Sequence, residues 1–358
     1  MQKFLFLAAM ICSLHLSAQN AIENVIVITS DGIRWQDVFT GMDPEIAADK
    51  KFNQGDSAYI FSKFFHRDPQ QRRSLLMPFM WGTIARNGQI HGNRILGNKV
   101  NTANPYWFSY PGYNEILTGN PDNAINSNDY PPNPYVTVLE YLNMRAPYKG
   151  KIAAFGAWEA FDRIINEQRS GIPVVCAYDT VSGNLNERQK LVNAMLKDSY
   201  RPFGKSECLE VFTHHMAMEY MKQNKPRVLY IAYGDTDEFA HHAQYKYYLD
   251  AMQQVDQWIS EIWEYVQSTP EYRNKTAIFI TTDHGRGGIE KSRWTDHGQS
   301  VQDASEIWFA VMAPGLNGKG ELKTNTQLYQ KQFAKTIAAQ LGVNYTPSHP
   351  TGNAVDLK

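Results

Sequence analysis

Cysteine is scarce in this chain, with three in the full length, and net charge is almost absent at −1 with histidine neutral. So small a charge excludes a surface built to hold a polyanion, and with it nucleic acid as a bulk partner. Internal repeats and low-complexity tracts are lacking, which excludes solenoid architectures. Long apolar runs are lacking after the first residues, so no later segment can span a bilayer. A Ser-His-Asp triad signature is also missing, so any serine nucleophile needs another source of activation.

The one apolar run is N-terminal. Lys3 is followed by Phe4 to Leu16 and then by Leu16-Ser17-Ala18-Gln19. This is the order of a secretory signal peptide cleaved near Ala18 or Gln19, and the run is shorter than the ~18 residues of a membrane anchor. Ala9-Met10-Ile11 before Cys12 lacks the small residue of a lipoprotein signal. The expectation is therefore a leader at 1–19 and a secreted or periplasmic catalytic domain at 20–358, with no stable membrane anchor. Cys176 and Cys208 survive processing. In an oxidising compartment they either pair or remain two buried thiols, and both readings stay open.

Five segments run in β-branched and aliphatic residues without polar alternation: 24–29, 151–155, 227–233, 276–281 and 307–312. Such runs read as strands buried on both faces. Helical spacing covers about 243–266, where Tyr248, Met252, Val255, Ile259, Ile262 and Val266 recur by four and three. Further helices are expected at about 206–223 and 328–341, the latter stopped by Gly342. Alternation of the two predicts an α/β fold, a mostly parallel central sheet with helices on both faces. Residues 120–134 are rich in Asn, Asp and Pro and read as irregular loop. The weaker periodicity of about 157–205 suggests a smaller insertion.

Three of the five strands end in residues of metal-ligand type. The first runs into Ser30-Asp31-Gly32. The third runs into Gly234-Asp235-Thr236-Asp237, with His241 one helical turn later. The fourth runs into Thr282-Asp283-His284-Gly285, and Asp296-His297-Gly298 precedes the last strand. Parallel sheets place ligands at the carboxyl ends of their strands, so these distant residues should converge. A mixed aspartate and histidine set suits zinc better than magnesium or calcium, whose sites are nearly all oxygen. His242 reads as a neighbour of this group, and His214 and His215 as helix-surface residues.

The nucleophile candidate is Ser109, in Ser109-Tyr110-Pro111-Gly112-Tyr113-Asn114-Glu115. A hydroxyl at a turn opening a helix sits among unpaired backbone N–H groups that favour a phosphate. Metal coordination is the better candidate for activating it.

With these residues in view, the chain resembles the alkaline phosphatase superfamily, closest to its nucleotide pyrophosphatase/phosphodiesterase-like and phosphatase branches. The resemblance runs from Asn24 to about Gly342. It rests on the first-strand aspartate, the hydroxyl-x-Pro turn ending in Thr118-Gly119, Asp237-x-x-x-His241, Asp283-His284-Gly285 and His297-Gly298. It implies two zinc ions, one held by Asp31, Ser109, Asp283 and His284 and the other by Asp237, His241 and His297. It also implies a phosphoserine intermediate on Ser109 and a small-molecule phosphate ester as substrate.

Asp235 and Asp296 are expected to orient ligands from behind. Either Asn126 or Asn128 would hold a phosphate oxygen. The departures are Ser109 where those phosphodiesterases carry threonine, and Gly112-Tyr113-Asn114-Glu115 where they carry Asn-His-Tyr-Ser. Sulfatases of the superfamily share only Ser109-x-Pro111, and the related phosphoglycerate mutases need a larger substrate domain.

Arg163 and Arg169 lie near Trp158 and Phe161 in the expected insertion. A bidentate arginine contact rewards the additional charge of a phosphomonoester, so a phosphomonoesterase is expected. Trp158 and Phe161 equally permit an aromatic wall for the second ester group of a phosphodiesterase or nucleotide pyrophosphatase. The reading from another class is a metal-stabilised binding protein without turnover.

Overall fold

The computed structural model describes residues 22–318 and 320–357; the expected leader at 1–19 and its Cys12 lie outside the described residues. The strands are β1 (Asn24–Ser30), β2 (Gln89–His91), β3 (Asn98–Asn101), β4 (Ile152–Gly156), β5 (Val174–Cys176), β6 (Val228–Tyr233), β7 (Thr276–Thr281), β8 (Glu306–Ile307), β9 (Phe309–Met312), β10 (Gly320–Glu321) and β11 (Thr326–Tyr329). Eight of them form the main sheet in the order β10-β2-β9-β7-β1-β6-β4-β5, and β11-β3-β8 form a small second sheet. Only β9 runs antiparallel to its neighbours in the main sheet. The expected strand at 307–312 is thus broken into two, β8 in the small sheet and β9 in the main one, each antiparallel to its partners. The other four expected strands form within a residue or so of their expected limits.

The sheet is buried on both faces, which explains why its strands read as unbroken apolar runs. Ile26, Ile28, Leu229, Ile231, Ile278 and Ile280 point into one core, against the helix Tyr245–Ser268. Val25, Val27, Val228, Tyr230, Ala277 and Phe279 point into the other, against the helices Ser109–Thr118 and Phe333–Gln340. The stripe expected on 243–266 is buried along its whole length. The helix Glu210–Asn224 is covered on more than one side, and His214 is fully buried rather than on its surface. That ring stacks on Trp258 at 4.7 Å and meets the Tyr233 hydroxyl at 2.9 Å. A histidine beside one exposed neighbour, His215, gave no local sign of this. Residues 157–205 contribute the edge strand β5 to the main sheet, so this segment is joined to the core. Cys176 and Cys208 are two separate buried thiols, with Cys176 Sγ 3.3 Å from the Glu159 carbonyl. Among the described residues, no helix is long and apolar enough to cross a membrane.

One buried polar network ties the two sides of the catalytic edge together. Arg34 and Asp37, both sealed from solvent, form a bidentate pair through Nε–Oδ2 at 2.7 Å and Nη2–Oδ1 at 2.8 Å. Tyr245 and Tyr248 donate their hydroxyls to the same carboxylate at 3.1 and 3.0 Å. Arg34 Nη1 also donates to the Gly287 carbonyl at 3.1 Å. The loop after β1, the loop after β7 and the longest helix are thereby held in one register. Asp37→Ala would leave a guanidinium and two hydroxyls without their acceptor. It is expected to lower the unfolding free energy by about 3–5 kcal/mol in urea titrations. A loss below about 1 kcal/mol would show that the network carries little of the fold.

Candidate active site

Strand register determines the site. Thr29 pairs with Thr281 and Ser30 with Tyr233, so the chain emerging from β1 lies level with the ends of β6 and β7. Asp31, two residues past Thr29, therefore stands beside Asp283, two past Thr281. The Gly32 amide donates to Asp283 Oδ1 at 3.1 Å, which fixes the relation of the two loops. Gly32 adopts φ +59, and a Cβ there would fall 2.6 Å from Asp237 Oδ1, so only glycine fits. Asp237 comes from the helix Asp235–His241, which begins where β6 ends.

Two groups of potential metal donors result: Asp31, Asp283 and His284 in one, Asp237, His284 and His297 in the other. His284 Nε2 lies 3.1 Å from Asp31 Oδ1 and 3.3 Å from Asp283 Oδ2. Despite these distances, the three atoms are buried without a hydrogen-bond partner in suitable geometry. Three converging orphaned donors, two of them anionic, are what a divalent cation satisfies. His284 Nδ1 meets the Gly285 carbonyl at 2.9 Å, so its proton is placed there and Nε2 is the ligating nitrogen. His241, which belongs to neither group, has Nε2 2.9 Å from Asp237 Oδ2 and 3.0 Å from His297 Nε2, at the margin of the second one. The two places differ in exposure. The first is sealed, whereas the His241 side chain is 41 % exposed.

Ser109 begins the helix Ser109–Thr118 and is buried. That helix rests directly on the aspartates. A Cβ on Gly112 would fall 2.6 Å from the Asp283 carbonyl oxygen, and the Tyr113 hydroxyl donates to Asp31 Oδ2 at 3.0 Å. Gly112-Tyr113, where the resemblance led to different residues, is therefore a contact between the nucleophile helix and the donor set. The loop before Ser109 is held by Glu115, whose buried carboxylate accepts from the amides of Ala103 and Asn104 at 2.8–3.0 Å. Asn104 Oδ1 in turn accepts from the amides of Tyr106 and Trp107. Trp107 adopts φ +56, costly for an indole side chain, and its carbonyl accepts from the Gly298 amide at 3.0 Å. This links the nucleophile loop to the residue after His297.

Of the two asparagines, Asn128 accepts from the Tyr110 amide through Oδ1 at 3.0 Å, which puts its amide nitrogen beside the nucleophile turn. Asn126 is exposed. Four expectations are corrected or narrowed. Arg169 is consumed by structure: it forms a bidentate pair with Glu140 and donates to the carbonyls of Asn133, Pro134 and Tyr135. Arg163 donates to the Tyr130 carbonyl at 2.8 Å, with Asp162 at 3.7 Å. Asp296 pairs with Arg293 at 3.0 Å rather than with a donor histidine. Asp235 exchanges hydrogen bonds with Glu210, carboxylate to amide in both directions at 2.9–3.0 Å, and so anchors the start of the helix Glu210–Asn224.

Two charged residues of the site escaped the sequence reading. Arg286, fully buried, donates through Nη1 to Asp237 Oδ1. Its only sequence sign was its place directly after Asp283-His284-Gly285. Glu207 packs so closely on Gly234 that a Cβ there would fall 1.7 Å from its Oε1. Burial, then the negative charge of Glu238, Asp31, Asp235 and Asp237, push the Glu207 carboxyl well above the usual carboxylate range. No motif marked Glu207; it reaches the site because Cys208 and Trp158 join its segment to the end of β4.

Against known proteins, the family model described as type I phosphodiesterase / nucleotide pyrophosphatase matches residues 38–341. All the donor candidates except Asp31 fall within that span. Among solved structures, alkaline phosphatase PafA is similar over 94% of this chain and 98% of its own, at 9% identity and TM-score 0.57. Ps i-CgsB in complex with k-i-k-neocarrahexaose is similar over 91% and 73%, at 16% identity and TM-score 0.55. At these identities the likeness is one of fold. No curated protein matches the sequence.

The charge state of the donor set yields a test. Burial opposes a charge on His284, but Asp283 and Asp31 outweigh it and raise the imidazole to about 9. In the metal-free protein His284 is therefore protonated at neutral pH, and a metal at Nε2 must displace that proton. Apparent metal affinity should rise with pH up to about 9. Burial and the charge of Asp31 also push the Asp283 carboxyl well above the usual range, so calorimetry in buffers of different ionisation enthalpy should count at least one proton released at pH 7.5. Binding without proton release would remove His284 from the donor set.

Proposed function

The chain belongs to the type I phosphodiesterase / nucleotide pyrophosphatase family of phosphoester hydrolases, and we propose that it cleaves phosphodiesters through a phosphoserine on Ser109 with two zinc ions. The observation that carries this reading is the convergence of orphaned Asp31 Oδ1, Asp283 Oδ2 and His284 Nε2 at residues that Gly112 and Tyr113 of the Ser109 helix touch. Asp31, Ser109, Asp283 and His284 would hold one ion, and Asp237, His241 and His297 the other. When bound, the ions supply Lewis-acid activation of the attacking and leaving oxygens.

The residues divide the remaining work. Ser109 Oγ loses its proton and attacks phosphorus in line, the P–O bond to the leaving group breaks, and a water later releases the phosphoryl group from the serine. Asn128, docked on the Tyr110 amide, is placed to donate to a phosphoryl oxygen. Tyr113 and the Gly32 amide hold Asp31 and Asp283 in orientation so that no reorganisation is needed during attack.

Preference for diesters follows from the charge around the site. Arg169 is bound elsewhere, so it supplies no cation for the additional charge of a monoester, whereas a diester has one charge fewer and an additional group to bury. Half-buried Trp158, paired through its backbone to Glu207, is the wall for that group. On the reading of residues 1–19 as a cleaved leader, the enzyme acts in the periplasm or outside the cell.

The test compares matched nitrophenyl mono- and diesters and follows the protein by mass spectrometry. Purified enzyme should carry about two zinc equivalents and lose activity in chelator. Ser109→Ala should lower turnover by a factor of roughly 10³ or more while metal is retained, and acid-quenched enzyme should carry phosphate on Ser109. A monoester preference in the wild type, lost in Arg163→Ala, would replace the diesterase reading with a monoesterase one. Full activity after exhaustive chelation would remove the metal mechanism.

A further inference from the structure

We propose that Arg286 is a built-in cation of the second metal position, and that it makes this position bind a divalent ion more weakly than the first. The inference rests on the two-metal reading above and concerns how unequal the two positions are.

Arg286 is completely buried and cannot turn aside. Nε donates to the Trp294 carbonyl at 3.1 Å, Nη2 donates to the Thr295 carbonyl, and Nη1 donates to Asp237 Oδ1. The backbone beside it is pinned as well, because the Gly287 amide donates to the Asp296 carbonyl at 3.1 Å and the Gly287 carbonyl accepts from Arg34. The guanidinium is therefore a permanent charge in the wall of the site.

Two consequences follow for the second position. The first is charge. At the first position Asp31 and Asp283 together bring two negative charges and His284 none once its Nε2 is free. At the second, the single charge of Asp237 is cancelled by Arg286, and His241 and His297 add none. An incoming divalent ion meets an attractive set at one position and a neutral set at the other, in surroundings where screening by water is weak.

The second is hydrogen bonding. Arg286 occupies Asp237 Oδ1 and leaves Oδ2 as the free donor, 2.9 Å from His241 Nε2. Arg286 Nη2 also lies 3.4 Å from His241 Nδ1. When His241 Nε2 takes a metal, the ring proton belongs on Nδ1, where it would face a guanidinium N–H, donor against donor. Metal binding there requires this contact to open. The orphaned atoms record the same asymmetry. Asp31 Oδ1 and Asp283 Oδ2 have only the orphaned His284 Nε2 beside them, whereas Asp237 Oδ1 already accepts from the Arg286 guanidinium. The first ion is then resident, and the second exchanges with the medium.

The experiment titrates metal-free protein with zinc against a chromophoric chelator, with no substrate present. Wild type should bind two ions in steps separated roughly tenfold or more in affinity. Asp31→Asn should abolish the tight step and His297→Ala the weak one. Arg286→Gln should tighten the weak step by roughly tenfold and leave the tight step unchanged, while Arg286→Lys keeps the gap. Should Arg286→Gln fail to fold, judged by circular dichroism, the wild-type isotherm decides: two steps of equal affinity overturn the inference. So does a folded Arg286→Gln protein whose weak step weakens further. A wild type that binds no zinc at all overturns the proposed function together with this inference, whereas two equal steps overturn only the inference.

Discussion

Asp31, Asp237 and Asp283 are forced together at the ends of three adjacent strands, in a place where little water reaches them. Unscreened carboxylates at such separations repel strongly, and burying each also costs its hydration. Nothing else in the fold compels this arrangement, so the structure around it is organised to supply compensating charge. Asp283 and Asp31 outweigh the cost of burying a charge on His284 and raise its imidazole, while burial and Asp31 push the Asp283 carboxyl itself above the usual range. Burial would raise the Asp237 carboxyl, yet Arg286, His241 and His297 hold it well below the usual range. A divalent cation is the group that would complete what these residues begin.

Such a site must also be held against its own repulsion, and the supports are fully hydrogen-bonded rather than merely packed. Arg34, Asp37, Tyr245 and Tyr248 join the loops after β1 and β7 to the longest helix. Glu115 and Asn104 hold the loop that precedes Ser109, and Trp107 passes that constraint to Gly298 beside His297. A satisfied buried network rigidifies where a partly satisfied one would destabilise. The geometry offered to a phosphoryl group is therefore set before any substrate arrives, which is how electrostatic stabilisation avoids reorganisation at the moment of reaction.

The same economy of charge shapes the substrate side. Arginines that read as free in the sequence are committed to backbone carbonyls and to Glu140, while a glutamate with no motif of its own occupies the neighbourhood of Asp31 and Asp237. The surroundings of the metals are thus less cationic than the residue order between 158 and 173 suggested.

What the sequence determined by itself was whatever depends on local patterning. The strands at 24–29, 151–155, 227–233 and 276–281 declared themselves because a strand buried on both faces must be apolar at every position. The helix near 243–266 declared itself because one buried face imposes a spacing of three and four. Ligand-type residues at the ends of those strands followed, since a parallel sheet gathers its strand ends on one edge. Tertiary structure alone decided the rest. The short strands β2 and β10 exist because neighbours offer them hydrogen bonds, not because their residues favour extension. His214 looks like its exposed neighbour His215 until Trp258 covers it. Arg169 and Arg286 are identical side chains; one was expected at the site and is bound outside it, the other passed unnoticed and contacts Asp237. A cation goes where buried acceptors need it, and those acceptors are brought together only when strands far apart in sequence are placed side by side.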